Sequence, residues 1–275
     1  MPGIPWWVWA LGGVAVVGAI AVTVGKGKTP PPPTKSGLDF LSYDTGLNDF
    51  LATLGSYYLA DDGFYVSRGN FGSVADPAEM NAMAAQLKAV LPTAEFVAMT
   101  GGTPNAQDLA TAGLSGDFGR IAMDWEPSEP GFDGTQAGTL AALKNFADVV
   151  HAHGYLAVGY MSGQGLGHLQ WQYGELMTGS GLDGMTVETQ EAVAGGGGPA
   201  AVDTLVAQFK AAGANVAQLE CQATVGVVAS GKVVTTQEVV DTYNEAMAQG
   251  MQRFFLEFAG STEADLLAVL QALGR

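Results

Sequence analysis

The chain has little of what disulfide, metal and nucleic-acid sites need. Its 275 residues include one cysteine, Cys221, and three histidines. That excludes an intramolecular disulfide and a cysteine-rich zinc site, and leaves little material for a histidine site. Lys and Arg number 11 against 27 Asp and Glu, a formal net charge of −16. Because an acidic surface repels phosphate backbones, we expect no nucleic-acid partner. We also expect no metal or other cofactor.

Charge is absent altogether from Pro5 to Gly25, where three tryptophans crowd one end. About 20 apolar residues at ~1.5 Å each span a hydrocarbon core of ~30 Å. A cleaved signal peptide is the alternative, but no basic side chain precedes the run and no A-x-A follows it. We therefore expect residues 1–25 to be a transmembrane anchor, held in a lipid bilayer through residues 5–25. Small residues four apart, such as Ala15 and Ala19, have the spacing of helix pairing and so of assembly through this span, although chance gives the same spacing in so alanine-rich a segment.

A proline-rich segment separates this anchor from the rest of the chain. The stretch KGKTPPPPTKSG contains four consecutive prolines, Pro30 to Pro33, which favour a stiff polyproline spacer. The expected organisation is an anchor at 1–25, a linker at 26–36 and a folded domain at 37–275.

From residue 37 onward, short apolar runs alternate with helical stretches. The runs are 38–44, 63–68, 94–99, 120–126, 154–162, 184–190, 215–222 and 253–260. Helix starts are indicated by Asp76-Pro77 and by the capping box from Thr235 to Glu238. Eight strands alternating with helices predict a (β/α)8 barrel. The alternative, an open doubly wound sheet, requires a glycine-rich loop after the first strand, and YDTGLND does not provide one.

Carboxylates recur where these strands end, which is where barrel active sites form. The expected strand-end residues are Asp44, Arg68, Asp124, Glu126, Tyr160, Glu188, Glu220 and Glu257. Carboxylates that converge on one opening repel each other, so their presence indicates catalysis or ligand binding. The alternative is that some of them cap loops or pair with Arg68 and Arg120.

The fourth strand carries the most informative group, in MDWEP. Residues two apart on a strand share a face, so Asp124 and Glu126 should both point into the barrel opening and Trp125 away from it. Two adjacent acids can push their proton affinities apart, which suits a general acid for glycosidic bond cleavage. We take Glu126 and Asp124 as catalytic candidates and Asp44, Tyr160, Glu188, Glu220 and Glu257 as substrate-binding candidates.

RIAMDWEP resembles the strand-four signature of glycoside hydrolase family 18 chitinases, which ends in D-x-D-W-E. The resemblance implies that Glu126 is the proton donor and that Asp124 positions the substrate acetamido group as internal nucleophile. It also implies a polysaccharide partner. The earlier Asp of the signature falls on Ala122, and the strand-six Tyr-Asp pair is not matched by Val187-Glu188.

Two other barrel families resemble this strand nearly as closely. Family 25 lysozymes, which cleave peptidoglycan, also place D-x-E on strand four. The large clan with acids on strands four and seven carries N-E-P where this chain has W-E-P, and its nucleophile would align with Glu220.

Three functions remain open from the sequence. The first is a membrane-anchored glycoside hydrolase acting on a cell-wall or N-acetylated polysaccharide. The second is an inactive barrel of the same ancestry that binds glycan or forms part of a surface or virion layer. The third is an unrelated barrel enzyme with a divalent cation held by Asp124, Glu126, Glu188 and Glu220. For the first two we expect the domain outside the cytoplasm or exposed on a virion, although Lys26 and Lys28 favour a cytoplasmic C-terminal flank.

Overall fold

The computed structural model describes residues 37–42, 55–59, 62–67, 76–125, 135–162, 172–259 and 262–275. All of them belong to one compact unit, Ser36–Arg275. The predicted anchor and linker lie outside the described residues, as do Asp44, Arg68 and Glu126. Within the described ranges, no helix has the length and apolar character needed to cross a bilayer.

Eight parallel strands close into a barrel, as the alternating pattern predicts. They are β1 (Gly37–Ser42), β2 (Gly63–Ser67), β3 (Glu95–Gly101), β4 (Phe118–Trp125), β5 (Leu156–Met161), β6 (Gly184–Glu188), β7 (Leu219–Val227) and β9 (Arg253–Ala259). Each strand pairs with its neighbour in chain order, except that β7 pairs with β9, and β9 pairs with β1 to close the ring. A two-residue strand, β8 (Val233–Val234), pairs antiparallel with the end of β7.

Helices connect the strands and surround the barrel. They are α1 (Pro77–Val90), α2 (Thr103–Ala112), α3 (Gln136–Ala152), α4 (Tyr173–Ser180), α5 (Gln190–Val193), α6 (Gly198–Ala211), α7 (Thr236–Ala248) and α8 (Glu263–Ala272). The predicted helix starts are confirmed: the Asp76 side chain accepts from the backbone N–H of Ala78 at 2.8 Å, and Thr235 forms a capping box with Glu238. These bonds satisfy backbone donors that the first helical turn leaves unpaired.

Alternation along β4 divides its side chains between two cores. Ile121, Met123 and Trp125 lie in the large core between barrel and helices. Ala122 lies in a smaller core inside the barrel, which we call the inner layer: Leu41, Tyr65, Val97, Met99, Ala122, Val158, Tyr160 and Phe255. Asp124 shares the face of Ala122, so the prediction that Asp124 points inward and Trp125 outward is confirmed.

The seventh strand differs from its expected position. The sequence predicts a strand over 215–222, but the Asn215 side chain accepts from the N–H of Ala217 at 3.1 Å and Val216–Gln218 forms a 3-10 turn. The strand therefore runs from Leu219 to Val227. This shift of several residues changes which side chains of β7 reach the barrel opening.

Candidate functional site at the barrel mouth

Asp124 lies near the C-terminal end of β4, and it is 1% exposed. The C-terminal ends of the parallel strands form the opening that we call the mouth. The Asp124 carbonyl accepts from the N–H of Gly102 at 3.2 Å, which extends the β3–β4 pairing to the rim. Gly102 has φ of 74°, a left-handed conformation that favours glycine, and it lets the chain turn into α2 beside Asp124.

Tyr160 on β5 pairs in register with Asp124. Its ring is buried against Phe255, with the centroids 5.4 Å apart. Its hydroxyl donates to Oε1 of Gln222 on β7, across the interior of the barrel. Tyr160 therefore extends from the inner layer to the polar groups at the mouth.

Beyond Gln222, amide, hydroxyl and carboxylate groups form a connected set. Nε2 of Gln222 lies 2.6 Å from Oε1 of Gln190 and 2.6 Å from Oε2 of Glu257. The Thr224 hydroxyl lies 2.8 Å from each of the same two oxygens. We call Tyr160, Gln190, Gln222, Thr224 and Glu257 the mouth network. It joins β5, β7, β9 and the start of α5 on one side of the opening.

Glu188 ends β6 and pairs in register with Gln222. It is half-buried. Tyr173, the first residue of α4, is buried nearby, and its hydroxyl donates to the Ser162 carbonyl at 3.2 Å. Burial, and then the charge of Glu188, raise the pKa of Tyr173. Tyr173 therefore stays a neutral hydrogen-bond donor behind the rim.

Glu220 does not lie at the mouth, although the sequence placed it there. It is the second residue of β7, and its carboxyl group contacts Arg120 at 3.7 Å and Arg253 at 3.8 Å. Arg120 precedes Asp124 by four residues on β4, or about 13 Å along a strand. The expectation that Glu220 joins the strand-end acids is therefore corrected. Its position also removes the strand-seven nucleophile that the strand-four and strand-seven clan requires.

Glu220 belongs instead to a set of charges at the N-terminal end of the barrel. This N-terminal charge cluster comprises Asp39, Glu95, Arg120, Glu220 and Arg253. Burial, and then the Asp39 charge, raise the pKa of Glu220 to about 8, despite both arginines. Burial would raise the pKa of Asp39 too, but Arg120 and Arg253 outweigh it and hold that pKa below its usual value. Arg120 thus pairs with carboxylates at this end rather than with those at the mouth.

Gly63, the first residue of β2, makes room for this cluster. A Cβ atom there would overlap the Asp39 carboxylate and would lie 2.6 Å from Nη2 of Arg253. The cluster therefore fits in the barrel only because the neighbouring strand begins with glycine.

The mouth brings together Asp124, Tyr160, Glu188 and Glu257 from the expected set and excludes Glu220. Asp44 and Glu126 lie outside the described residues. Sequence reasoning missed Gln222, Thr224 and Gln190. Gln222 and Thr224 share the inward face of β7 with Glu220, so extending that strand by the same period-two alternation would have found both.

The cation site considered from the sequence is not supported by this arrangement. It required Glu220 beside Asp124 and Glu188, and Glu220 faces the opposite end of the barrel. Within the described ranges, no group of three or more His, Cys, Asp or Glu side chains is arranged to hold a metal ion.

Comparisons with known proteins show what this architecture resembles. No family model and no curated protein matches the sequence. A glycoside hydrolase family 18 N-acetylglucosaminidase from Paenibacillus barengoltzii matches with a TM-score of 0.60 at 11% identity, over 86% of this chain and 100% of that one. The PgaB glycoside hydrolase domain from Bordetella bronchiseptica gives 0.58 at 10% identity, over 88% and 98%.

The same barrel also matches a protein of a different kind. The N-terminal domain of a putative aldolase from Bacteroides vulgatus gives a TM-score of 0.57 at 13% identity, over 87% of this chain and 84% of that one. At such identities the likeness establishes the fold and leaves the chemistry to the site. The predicted resemblance to family 18 is thus confirmed at the level of the fold: the chain is a TIM-type (β/α)8 barrel of the kind found in glycoside hydrolases.

Proposed function

We propose that this protein is a glycoside hydrolase that cleaves a cell-wall or other polysaccharide containing N-acetylated amino sugars. Glu126 acts as the general acid on the glycosidic oxygen, and Asp124 is its partner. As the resemblance to family 18 implies, Asp124 holds the substrate acetamido group so that the acetamido oxygen attacks the anomeric carbon. The two glycoside hydrolase structures that this barrel resembles, from Paenibacillus barengoltzii and Bordetella bronchiseptica, support this class of reaction.

The observation that carries the proposal is the setting of Asp124. Its carboxylate is buried on the inner face of β4 at the catalytic end of a TIM-type barrel, and the sequence continues directly with Trp125-Glu126. The mouth network begins at Tyr160, beside Asp124, and reaches the half-buried Glu257 carboxylate on β9. Polar groups of this kind suit the hydroxyls of a sugar.

One feature of β4 favours a second candidate function. Ala122, where the family 18 signature has an additional Asp, is fully buried in the inner layer. Asp124 therefore has no carboxyl group at the position two residues before it on its own strand. The alternative is an inactive barrel of glycosidase ancestry that binds glycan or serves as a structural protein of a cell or virion surface.

The membrane part of the proposal rests on the sequence. The charge-free run at 5–25 and the prolines at 30–33 support a bilayer anchor and a spacer. We propose that the barrel is held outside the cytoplasm or on a virion surface, where polysaccharide is accessible, and that the span contributes to assembly.

Hydrolysis by the full-length protein in detergent tests the function. Zymography on chitin and on peptidoglycan, with wild type beside Glu126→Gln, should show clearing by the wild type only. Loss of the acid proton should lower the rate by about 10²–10⁴-fold, while thermal unfolding stays near that of the wild type. Equal clearing by both proteins would exclude Glu126 as the acid. Binding of either polymer without clearing by the wild type would favour the inactive barrel.

A further inference from the structure

Gln222 is the centre of the mouth network. Its side chain is fully buried. Its carbonyl oxygen accepts from the Tyr160 hydroxyl, and its NH2 group donates to Gln190 and Glu257, each at 2.6 Å. Both amide N–H groups and the amide oxygen are thus engaged by three different elements of the barrel.

The partners fix which way this amide points. Turning it over would bring its oxygen against Oε2 of Glu257 and Oε1 of Gln190, so acceptors would face acceptors. The ionised Glu257 oxygen can only accept, so its 2.6 Å contact with Gln222 sets the orientation of the amide without any assignment at Gln190. The Gln222 oxygen therefore faces Tyr160, and its NH2 group faces Glu257.

This arrangement orients a half-buried carboxylate at the rim. Oε2 of Glu257 receives Gln222 at 2.6 Å and Thr224 at 2.8 Å. Two donors on one oxygen fix the plane of the carboxyl group, and hydrogen bonds to a charged group are stronger than neutral ones. A carboxylate held in this way at a sugar-binding opening can accept hydrogen bonds from sugar hydroxyls in a defined direction.

We propose that Gln222 is a positioning residue for glycan recognition. Through its amide it orients the half-buried Glu257 carboxylate, which contacts the sugar, and it holds the buried Tyr160 phenol in place beside Asp124. This inference rests on the proposed function, because it requires a glycan at the mouth. It adds a role for a residue of β7 in substrate affinity, separate from the acid chemistry proposed for Glu126 and Asp124.

Replacing the amide by a carboxyl group gives the sharpest test. In Gln222→Glu the new carboxyl group would meet Glu257 at about the present 2.6 Å, and two carboxylates so close cannot both be ionised. At acid pH the pair can share a proton and keep the bond. At alkaline pH the two charges repel, and Glu257 turns away. On the described elements, the other titratable groups around this position are Glu188 on β6, in register with Gln222, Tyr160 on β5, Asp124 on β4 beside Tyr160, and Tyr173 behind Glu188.

The measurement is the affinity for tetra-N-acetylchitotetraose by titration calorimetry at pH 5, 7 and 8.5, with full-length protein in detergent. Every protein in this comparison carries Glu126→Gln, so that the ligand is bound without being cleaved, and wild type here means wild type at the other positions. We expect Gln222→Glu to bind nearly as well as wild type at pH 5 and about tenfold more weakly at pH 8.5. Gln249→Glu is the matched control. Gln249 also donates to carboxylates, Asp203 at 2.8 Å and Glu245 at 2.9 Å, but it follows the C-terminal end of α7. Its affinity ratio to wild type should stay constant with pH.

The outcomes separate this inference from the function on which it rests. If wild type binds no oligosaccharide, the proposed function fails and the positioning role fails with it. If wild type binds but Gln222→Glu shows a pH-independent ratio to wild type, the positioning role alone is overturned. Should Gln222→Glu not fold, Thr224→Val carries the test. It removes the second donor to Glu257 and should weaken binding several-fold, while the melting temperature falls by only a few degrees. An unchanged affinity would overturn the proposal.

Discussion

Arg253, the first residue of β9, forms an ion pair with Asp39 on β1, with Nε of the arginine 2.6 Å from Oδ2 of the carboxylate. The two residues are 214 positions apart in sequence. They lie on the pair of strands that closes the barrel. The fully buried Asp39 also has Arg120 at 3.6 Å. A buried carboxylate needs such partners, because losing one leaves a charge without solvent or counterion.

Removing Arg253 should therefore destabilise the barrel strongly. We expect Arg253→Met to lower the free energy of unfolding by about 3–5 kcal/mol, the usual cost of breaking a buried pair. Lys144→Met is the control, since the Lys144–Asp148 pair has side chains 60% and 64% exposed and should contribute under about 1 kcal/mol. Denaturant unfolding measures both. Similar small losses in the two variants would contradict a structural role for the N-terminal charge cluster.

Glu220 should make stability fall with rising pH. Its pKa is raised from 4.5 to about 8 in the folded protein, so the folded state keeps a proton that the unfolded state has released. The corresponding stability is present below about pH 4.5 and is lost as pH rises through about 8. Between pH 6 and 9 we expect the free energy of unfolding to fall by about 2 kcal/mol. Glu220 and Asp39 interact strongly, so this titration belongs to the pair of carboxyl groups rather than to Glu220 alone. Glu220→Gln, which copies the neutral form, should flatten the profile in urea unfolding. A profile equally steep in this variant would assign the loss to another group.

Much of the fold follows from local pattern. The strands alternate with helices, and side chains alternate along each strand, so the barrel and the opposite directions of Asp124 and Trp125 were predictable. The position of Glu220 was not. Residues 216–218 form a 3-10 turn, which begins where the Asn215 side chain accepts from the Ala217 N–H, so the strand starts four residues later than expected. Moving the start of β7 to Leu219 exchanged Glu220 for Gln222 and Thr224 at the mouth.

The N-terminal charge cluster was hidden for a different reason. Asp39, Arg120, Glu220 and Arg253 meet only after the ring of strands has closed, and no local spacing links them. The sequence shows an acidic chain with few cations, and it offers Arg120 as a partner for the acids at the strand ends. Which charges pair across a barrel depends on strand register and stagger, and sequence pattern does not supply these.

Arg275 should stabilise the domain through Asp62. Its Nη1 atom lies 2.9 Å from Oδ2 of Asp62, and the two side chains are 2% and 0% exposed. Asp62 also accepts from the N–H groups of Leu38 and Leu59, each at 2.9 Å, so it fixes the approach to β1.

We expect Arg275→Met to cost about 3 kcal/mol at neutral pH, as for other broken buried pairs. Burial already raises the pKa of Asp62, and loss of the arginine raises it further. The damage should therefore shrink as pH falls and Asp62 takes up a proton. Lys88→Met, in a pair whose side chains are each 37% exposed, is the control and should show neither effect. A loss in Arg275→Met that is independent of pH would indicate lost packing rather than lost charge.

Asp124→Asn tests the catalytic assignment without removing volume from the mouth. The substitution keeps the size of a side chain that is 1% exposed but removes the negative charge that would hold the acetamido group and support the acid. We expect the turnover number on a soluble chitooligosaccharide to fall by about 10²-fold or more. The melting temperature should shift by only a few degrees. Steady-state kinetics should show the loss in the turnover number, with KM changing much less, because the charge acts on the reacting centre. Gln222→Glu at alkaline pH should show the reverse pattern, with KM raised and turnover largely kept. If Asp124→Asn raised KM alone, Asp124 would be a binding residue, and the assignment of Glu126 and Asp124 as acid and partner would have to be abandoned.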